Sequence, residues 1–279
     1  RGITIELGFA PWRLSEKITA DIIDVPGHEK FIRTMSGGVA AVDMALLLVA
    51  ADEGFMAQTR EHLAILSLLG ITAGVIVISK CDLAARAEID SLKKTIRREL
   101  AGSTLENAPI TAVSALTGEG MENLQKTVRQ TAESIIARRT PEKSDLNKLS
   151  RLPVDRCFSV KGFGTVATGT LWSGGFAVGD TVNIMSADGK QAKTAAAKIR
   201  RLEINGENAP QCLGKQRLAL NLPALSKEQI PRGSWICNEI LTPVHTAAVD
   251  FHLLKNAKQL KNNAPVHIRF GGLEVNARI

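Results

Sequence analysis

The chain of 279 residues is long enough for two or three domains, and no run of about 18 apolar residues indicates a membrane-spanning helix. The net charge of +7 is unevenly placed, because residues 1–150 hold 18 Lys and Arg against 19 Asp and Glu, whereas residues 151–279 hold 17 against 9. The basic second part predicts a polyanionic partner with salt-sensitive affinity, and an inert solvated surface is the alternative.

The four cysteines include no Cys-x-x-Cys pair, and the five histidines form no cluster with metal-ligand spacing. This usage is typical of reduced thiols in a cytosolic protein, so we expect neither a disulfide framework nor a zinc site. No signal peptide is recognisable. Because the chain opens at Arg1 without an initiator methionine, we expect the true N-terminus to lie upstream.

The first 140 residues alternate between strand-like and helix-like segments. The apolar-rich run 17–24 predicts a strand, and the turn-forming pair Pro26-Gly27 follows it directly. Buried parallel strands are predicted at 43–51, 73–79 and 109–113, and amphipathic helices at 57–69, 88–100 and 121–138. This alternation predicts a doubly wound α/β domain with a mostly parallel sheet and a ligand at the carboxyl ends of its strands.

The pattern of predicted secondary structure changes after residue 140. Residues 141–150 lack an apolar face and are predicted to be a linker. Short β-like runs follow at 154–160, 164–171, 180–184, 193–204, 217–222 and 235–237, and they predict an antiparallel β-barrel over residues 151–243. The alternating segment 249–253 then predicts the opening strands of a second barrel, within residues 244–279.

The segment Asp-Val-Pro-Gly-His-Glu-Lys at 24–30, preceded by Arg-Gly-Ile-Thr at 1–4, carries the most chemical information. Asp24, at the end of a strand, can meet a bound metal, and Gly27 can bring its N–H close to a phosphate. His28 then stands beside the attacking water. Phosphoryl transfer mainly needs Mg²⁺ and a positioned water, which Thr4, Asp24 and His28 could together supply. The alternative is a strand, a tight turn and a surface histidine.

Two further loops can read a guanine base. The carboxylate of Asp82 can accept hydrogen bonds from N1–H and the 2-amino group of guanine, while the aliphatic stem of Lys80 covers the face of the base. After the 109–113 strand, Ser114 and Ala115 can present a backbone N–H to guanine O6. Each segment alone is more often ordinary turn chemistry, but their order and spacing support one site.

Five longer segments of the sequence are similar to those of a known protein family. They are RGITIELGF at 1–9, DVPGHEKF at 24–31, AADEGFMAQTREHLAILSLL at 50–69, SALTGEG at 114–120 and DRCFSVKGFGTVATGT at 155–170. The chain resembles translational GTPases of the elongation factor Tu class, and within it most closely the selenocysteine-specific SelB family. The closer resemblance depends on Gly8-Phe9 and on Arg156, Phe163 and Arg217. It implies a GTPase domain over residues 1–140, followed by a β-barrel domain and the start of another.

The resemblance also implies residue roles. Thr4 would coordinate Mg²⁺, Asp24 would hold it through water, Gly27 would sense the γ-phosphate, and His28 would place the hydrolytic water. The guanine would be read by Lys80, Asp82, Ser114 and Ala115.

In the barrel, the resemblance implies a selenocysteyl pocket built from Asp155, Arg156 and Arg217. A selenol is largely ionised at neutral pH, unlike a cysteine thiol with a pKa of about 8.5, so paired arginines would favour selenocysteine over serine. The alternative for both arginines is a solvated rim or an internal salt bridge. The implied partners are selenocysteyl-tRNA, the ribosome and, through C-terminal modules outside this chain, the selenocysteine-insertion hairpin of the mRNA; a membrane is not among them.

Departures from the family pattern qualify this interpretation. Ser79 stands where Asn or Thr is usual, which removes an amide that braces the base loop while Asp82 keeps the selectivity. The Gly-x-x-x-x-Gly-Lys-Ser/Thr phosphate loop does not occur in these 279 residues, so we expect this chain alone to be inactive as a GTPase.

Three alternatives therefore stay open. One is elongation factor Tu itself or an initiation factor γ subunit. Another is a nucleotide-independent module that binds tRNA or the ribosome. A generic RNA-binding protein is disfavoured, because aromatic residues make up only 4% of the chain.

Overall fold

The computed structural model describes residues 7–27, 42–138, 149–187, 192–253, 257, 259–270 and 273–279. These residues form two compact units, one in the part up to residue 138 and one in the part from residue 149 onward. Among the described helices, none is both long and apolar enough to cross a membrane.

The first unit combines an antiparallel hairpin with a parallel sheet and three helices. Strands β1 (Gly8–Arg13) and β2 (Thr19–Asp24) form the hairpin. The parallel sheet has the order β3-β4-β5, and its strands are Ala45–Ala50, Gly74–Ser79 and Ile110–Ala112. The helices are α1 (Ala57–Leu68), α2 (Arg86–Leu100) and α3 (Met121–Arg138).

Strand β4 is the centre of this unit. Its residues Val75 to Ile78 are nearly inaccessible to solvent, as is typical of a parallel strand with cover on both faces. On one face, Val75 and Val77 pack in a cluster with Leu124 and Val128 of α3. Helix α1 packs against β3, and a salt bridge between Arg60 and Glu99 joins α1 to α2.

The predicted α/β architecture is confirmed, and the predicted helices and parallel strands agree with the observed ones within about two residues at most ends. Two features of the hairpin differ from the prediction. Strand β1 was not expected, because Gly8 and Pro11 interrupt its pattern. Strand β2 pairs with β1 and does not hydrogen-bond to the described parallel strands, so Asp24 ends a hairpin strand and not a strand of the parallel sheet.

The second unit is built from antiparallel strands. Strands β6 to β11 are Arg151–Val160, Gly164–Thr170, Gly175–Ala177, Thr181–Ala187, Ala192–Lys198 and Arg201–Ile204. Strands β12 to β17 are Glu207–Asn208, Gln211–Leu213, Arg217–Asn221, Trp235–Cys237, Pro265–Phe270 and Leu273–Arg278. The large sheet has the order β10-β9-β15-β6-β7-β14-β11-β12, while β8 pairs with β13 and β16 with β17.

The large sheet closes around a single core. Buried residues from strands across its width belong to one cluster, including Val154, Ile184, Leu202 and Leu220. Ala197 of β10, at one edge, joins the same cluster as Leu202 of β11, near the other edge. A flat sheet could not bring both ends to one core, so the antiparallel barrel predicted from the sequence is confirmed.

A β-bulge interrupts the pairing of β6 with β7. Val154 pairs with Gly169 and Arg156 pairs with Thr168, so Asp155 is the additional residue. At Gly169, a Cβ atom would lie 2.3 Å from the Pro153 carbonyl oxygen. Glycine is therefore required at this position, where the backbone of β6 approaches β7.

Two predictions for the second unit are wrong in detail. Residues 193–204 form two strands, because the Ile199 N–H bonds to Asp180 on one side of the chain while the Arg200 N–H bonds to Asn221 on the other. Residues 249–253 form no strand, and Val249 and Phe251 are exposed. A hairpin, β16–β17, follows instead. The domain boundaries proposed from the sequence stay predictions, and most of the predicted linker lies outside the described residues.

Candidate functional site

The two predicted base-reading loops lie side by side at the ends of neighbouring parallel strands. Lys80 directly follows β4, and a short 3₁₀ helix, Cys81–Leu83, begins after it. The Cys81 N–H donates to the Val113 carbonyl, 3.1 Å away, which ties this loop to the one that opens at Ser114. The sequence-based expectation that these loops meet agrees with this geometry.

Lys80 has an unusual backbone and a bound ammonium group. Its φ of 56° lies in the left-handed region, which is uncommon for a residue with a Cβ. The Nζ atom donates to Asp52 Oδ2 at 2.9 Å and to Glu53 Oε1 at 3.4 Å. These hydrogen bonds raise the pKa of Lys80, and the bond from Lys80 holds the pKa of Asp52 below its ordinary value. The ammonium group of Lys80 is thus held by these two carboxylates, and its aliphatic stem is the part of the side chain that can cover a base.

The other proposed guanine contacts divide into available and occupied groups. The Asp82 carboxylate is exposed. The Ser114 N–H already donates to the Glu119 carbonyl at 2.9 Å, and the buried Ser114 hydroxyl accepts from the Thr117 N–H at 3.1 Å. Within the described structure, the N–H of exposed Ala115 is the one left to reach guanine O6, while Ser114 holds the loop in shape.

The predicted phosphate-sensing turn contacts helix α1. Asp24 is exposed at the end of β2, and Gly27 follows it after a buried Pro26. The Nε2 atom of His62 lies 3.0 Å from the Gly27 carbonyl oxygen, a distance at which a protonated Nε2 donates a hydrogen bond. Thr4 and His28, the predicted metal ligand and water-positioning residue, lie outside the described residues.

In the second unit, one outer face of the barrel carries a regular array of side chains. Cross-strand pairing aligns Arg156, Thr168, Ala219 and Glu203 in one row over β6, β7, β14 and β11. The next row contains Phe158, Val166, Asn221 and Arg201. Because side chains on a strand alternate between faces, both rows point away from the core.

A cavity of about 280 Å³ opens on this face. The rings of Phe158 and Phe163 line it and are roughly half exposed. The guanidinium of Arg201 lies 5.4 Å from the centroid of the Phe163 ring, and its Nε is 3.3 Å from Glu203 Oε1. Aromatic faces beside an arginine and a carboxylate form a surface that can stack and hydrogen-bond a planar ring.

The predicted aminoacyl residues adjoin that cavity. Asp155 and Arg217 form an ion pair whose side chains are 14% and 16% exposed, with Arg217 Nη2 donating to Asp155 Oδ1 at 3.0 Å. The Thr168 hydroxyl donates to the same Asp155 Oδ1 at 2.8 Å. Arg156 is exposed and pairs across the strand with Thr168. The internal salt bridge considered as an alternative is present for Arg217, so its charge is matched by Asp155.

Comparison with known proteins shows which proteins this chain is similar to. Residues 1–134 match the profile of the elongation factor Tu GTP binding domain. Over its full length, the chain is 40% identical to a selenocysteine-specific elongation factor of Desulfomicrobium baculatum and 39% identical to one of Haemophilus influenzae. The chain is a homologue of the selenocysteine-specific elongation factors.

A solved bacterial selenocysteine-specific elongation factor, EF-Sec, has the same fold, with a TM-score of 0.80 and 27% identity. That similarity covers 99% of this chain and 45% of the solved one. The chain spans 42% of the length of the two curated selenocysteine-specific factors named above.

Several residues of these sites were not singled out from the sequence. Asp52 and Glu53 follow the end of β3, so the rule that ligands gather at the carboxyl ends of parallel strands could have found them. Neither His62 nor Thr168 carries a local signal. Their contacts join segments 35 and 13 residues apart, and the sequence alone does not give that pairing.

Proposed function

We propose that this chain supplies the guanine-recognising, γ-phosphate-sensing and aminoacyl-tRNA-binding residues of a translation elongation factor that delivers selenocysteyl-tRNA to the ribosome. The observation that carries the proposal is the 40% identity to a selenocysteine-specific elongation factor over the whole chain, barrel included. The elongation factor Tu profile alone would support a translational GTPase without specifying the amino acid.

For the nucleotide, Lys80, Asp82 and Ala115 recognise guanine, and Gly27 senses the γ-phosphate through its N–H. In hydrolysis, a water held by His28 attacks the γ-phosphorus, and the bond from that phosphorus to the β–γ bridging oxygen breaks. GDP and inorganic phosphate leave, and the water's proton passes to phosphate or solvent. The protein's part is positioning, since loose phosphoryl transfer needs little covalent help.

A divalent cation suits the residues available. The exposed carboxylate of Asp24 is a hard oxygen donor at the end of a strand, which Mg²⁺ prefers over nitrogen or sulfur. Thr4 would add its hydroxyl, and Asp24 would act through a water. When bound, Mg²⁺ neutralises charge that develops on the phosphate oxygens.

For the tRNA, the outer barrel face supplies two neighbouring subsites. The cavity beside Phe158 and Phe163 suits a nucleobase, and the cluster of Asp155, Arg156 and Arg217 suits the amino acid joined to it. An ionised selenolate would gain charge-assisted hydrogen bonds from the guanidinium groups, whereas the neutral serine hydroxyl would gain weaker ones. The remaining basic surface would contact tRNA phosphates.

Binding of selenocysteyl-tRNA and of seryl-tRNA to the same chain tests the proposal directly. We expect clear preference for selenocysteyl-tRNA, and joint substitution of Arg156→Gln and Arg217→Gln should abolish the preference by weakening selenocysteyl-tRNA while changing the affinity for seryl-tRNA little. Arg232→Gln, at an exposed arginine of the same unit, is the matched control. Equal affinity of the wild-type chain for both tRNAs would remove selenocysteine from the proposal. Equal weakening of all tRNAs by the joint substitution would assign the arginines to phosphate.

Calorimetry with GTP and Mg²⁺ tests the nucleotide part. We propose that the 279-residue chain alone binds no nucleotide at micromolar concentration, because its sequence holds no Gly-x-x-x-x-Gly-Lys-Ser/Thr loop to bind the α- and β-phosphates. Tight, guanine-selective binding would contradict this and show that other groups hold the phosphates. Strong and equal binding of both tRNAs without nucleotide would favour the nucleotide-independent module.

A further inference from the structure

Thr168 lies at the meeting point of the three strands that carry the proposed aminoacyl pocket. The bulge between β6 and β7 leaves both Asp155 and Arg156 opposite this one residue, while β14 lies on its other side. Bulges commonly re-aim a side chain beside a functional site. Here the bulge leaves Asp155 and Arg156 together on the outer face, where Arg217 also lies.

The hydroxyl of Thr168 uses its donor and one acceptor position within a closed network. Its proton goes to Asp155 Oδ1 at 2.8 Å, and its oxygen accepts from Arg217 Nη2 at 3.3 Å. The same Nη2 also donates to Asp155 Oδ1. Each of the three side chains is thereby bonded to the other two, at a place where Asp155 and Arg217 are about 15% exposed.

We propose that Thr168 is a positioning residue for amino-acid discrimination, acting through the Asp155–Arg217 pair. This inference rests on the proposed function. Since Asp155 neutralises Arg217, the charge of Arg217 alone cannot select a selenolate, so the part of Arg217 in the selection depends on which of its guanidinium N–H groups face the ligand. Both Asp155 oxygens already accept from Arg217, so loss of the Thr168 hydroxyl would leave Oδ1 short of one donor and release the ion pair to rotate as a unit, which moves the Arg217 N–H groups that the selenolate needs.

Substitution at this position can separate positioning from packing. Thr168→Val removes the hydroxyl and keeps a β-branched shape suited to a strand, Thr168→Ala removes it with a smaller side chain, and Thr168→Ser restores it. Thr170→Val makes the same change two residues along, on the same face of β7. Each variant would be made in the full chain and checked for folding by its thermal unfolding midpoint.

The measurement is the ratio of dissociation constants for seryl-tRNA and selenocysteyl-tRNA. We expect Thr168→Val and Thr168→Ala to lower this ratio about tenfold, the typical effect of removing a hydrogen bond to a charged group, mainly by weakening selenocysteyl-tRNA. Thr168→Ser should stay within about twofold of wild type, and Thr170→Val should leave the ratio unchanged.

The outcomes are distinguishable. A wild-type chain with no preference overturns the proposed function, and the role of Thr168 with it. A wild-type preference that survives in both Thr168→Val and Thr168→Ala overturns the role of Thr168 alone. An equal loss in Thr170→Val, or no rescue in Thr168→Ser, overturns it as well, because packing on that face would then explain the effect.

Discussion

Gly169→Ala tests the close approach of β6 to β7 beside the bulge. The added Cβ would lie 2.3 Å from the Pro153 carbonyl oxygen and 2.6 Å from Leu152 Cδ2. The second distance is about 1 Å inside the 3.5–4.0 Å of favourable carbon contact. Leu152 is fully buried and Pro153 is held in the sheet, so β6 must move. We expect a loss of about 2–3 kcal/mol, since overpacking costs about 1–3 kcal/mol or more and the lower entropy of the unfolded alanine chain returns a part.

Urea denaturation followed by tryptophan fluorescence would measure this loss, because Trp235 pairs directly with Pro153 and stacks edge-on against Trp172 at 4.9 Å. Gly206→Ala is the control: no atom lies within 4 Å of its Cβ, and its φ of +81° carries backbone strain without a clash. It should cost about 1 kcal/mol. If Gly169→Ala destabilises no more than Gly206→Ala, at unchanged m-value, the steric argument for glycine at position 169 is wrong.

Three other predictions concern titration, reactivity and salt. The hydrogen bond from Lys80 lowers the pKa of Asp52. The stability that this hydrogen bond adds to the folded state is therefore present above the ordinary aspartate pKa of about 3.9, and it is lost as the pH falls through the lowered pKa of Asp52. A carbon NMR titration should show the Asp52 midpoint rising in Lys80→Met, and an unchanged midpoint would refute the contact. Burial raises the pKa of Cys212 and Cys237 to about 11, so at pH 8 both should react with Ellman's reagent only after unfolding; rapid labelling of the folded protein would contradict this burial. The affinity for tRNA should fall at least about tenfold between 50 and 200 mM salt, as about two phosphate contacts require, and a flat dependence would argue for an inert basic surface.

Elements with a strong local pattern were predictable from the sequence. Strand β4 is an uninterrupted apolar run, and helix α3, described over Met121–Arg138, covers the segment with the predicted periodicity. The base-reading loops could be placed because they directly follow such strands. The fold class followed from the alternation of these segments, since parallel strands need helical crossovers between them.

Features that depend on distant partners were not predictable. The break at Ile199 and Arg200 has no turn residue, and it occurs because successive N–H groups bond to different strands. Residues 249–253 alternate like a strand, yet a strand needs a partner ladder, which the alternation does not provide. In the same way, the sequence offers Ser114 and Ala115 as equal donors, and only the fold commits one of them to Glu119.

Strand β7 joins the packing of the barrel to the chemistry proposed for its outer face. Gly169 points to the core side, where β6 leaves no room for a Cβ, and Thr168 points to the opposite side, where Asp155 and Arg217 lie. Because the side-chain period of a strand is two, a slip of one residue would exchange these positions. Such a slip would place a threonine side chain against the Pro153 carbonyl, and the Asp155–Arg217 ion pair would lose its hydrogen bonds to the Thr168 hydroxyl. Gly169 on the core face and Thr168 on the outer face therefore specify the same register of β7. The register that lets the core pack is also the register that assembles the proposed pocket.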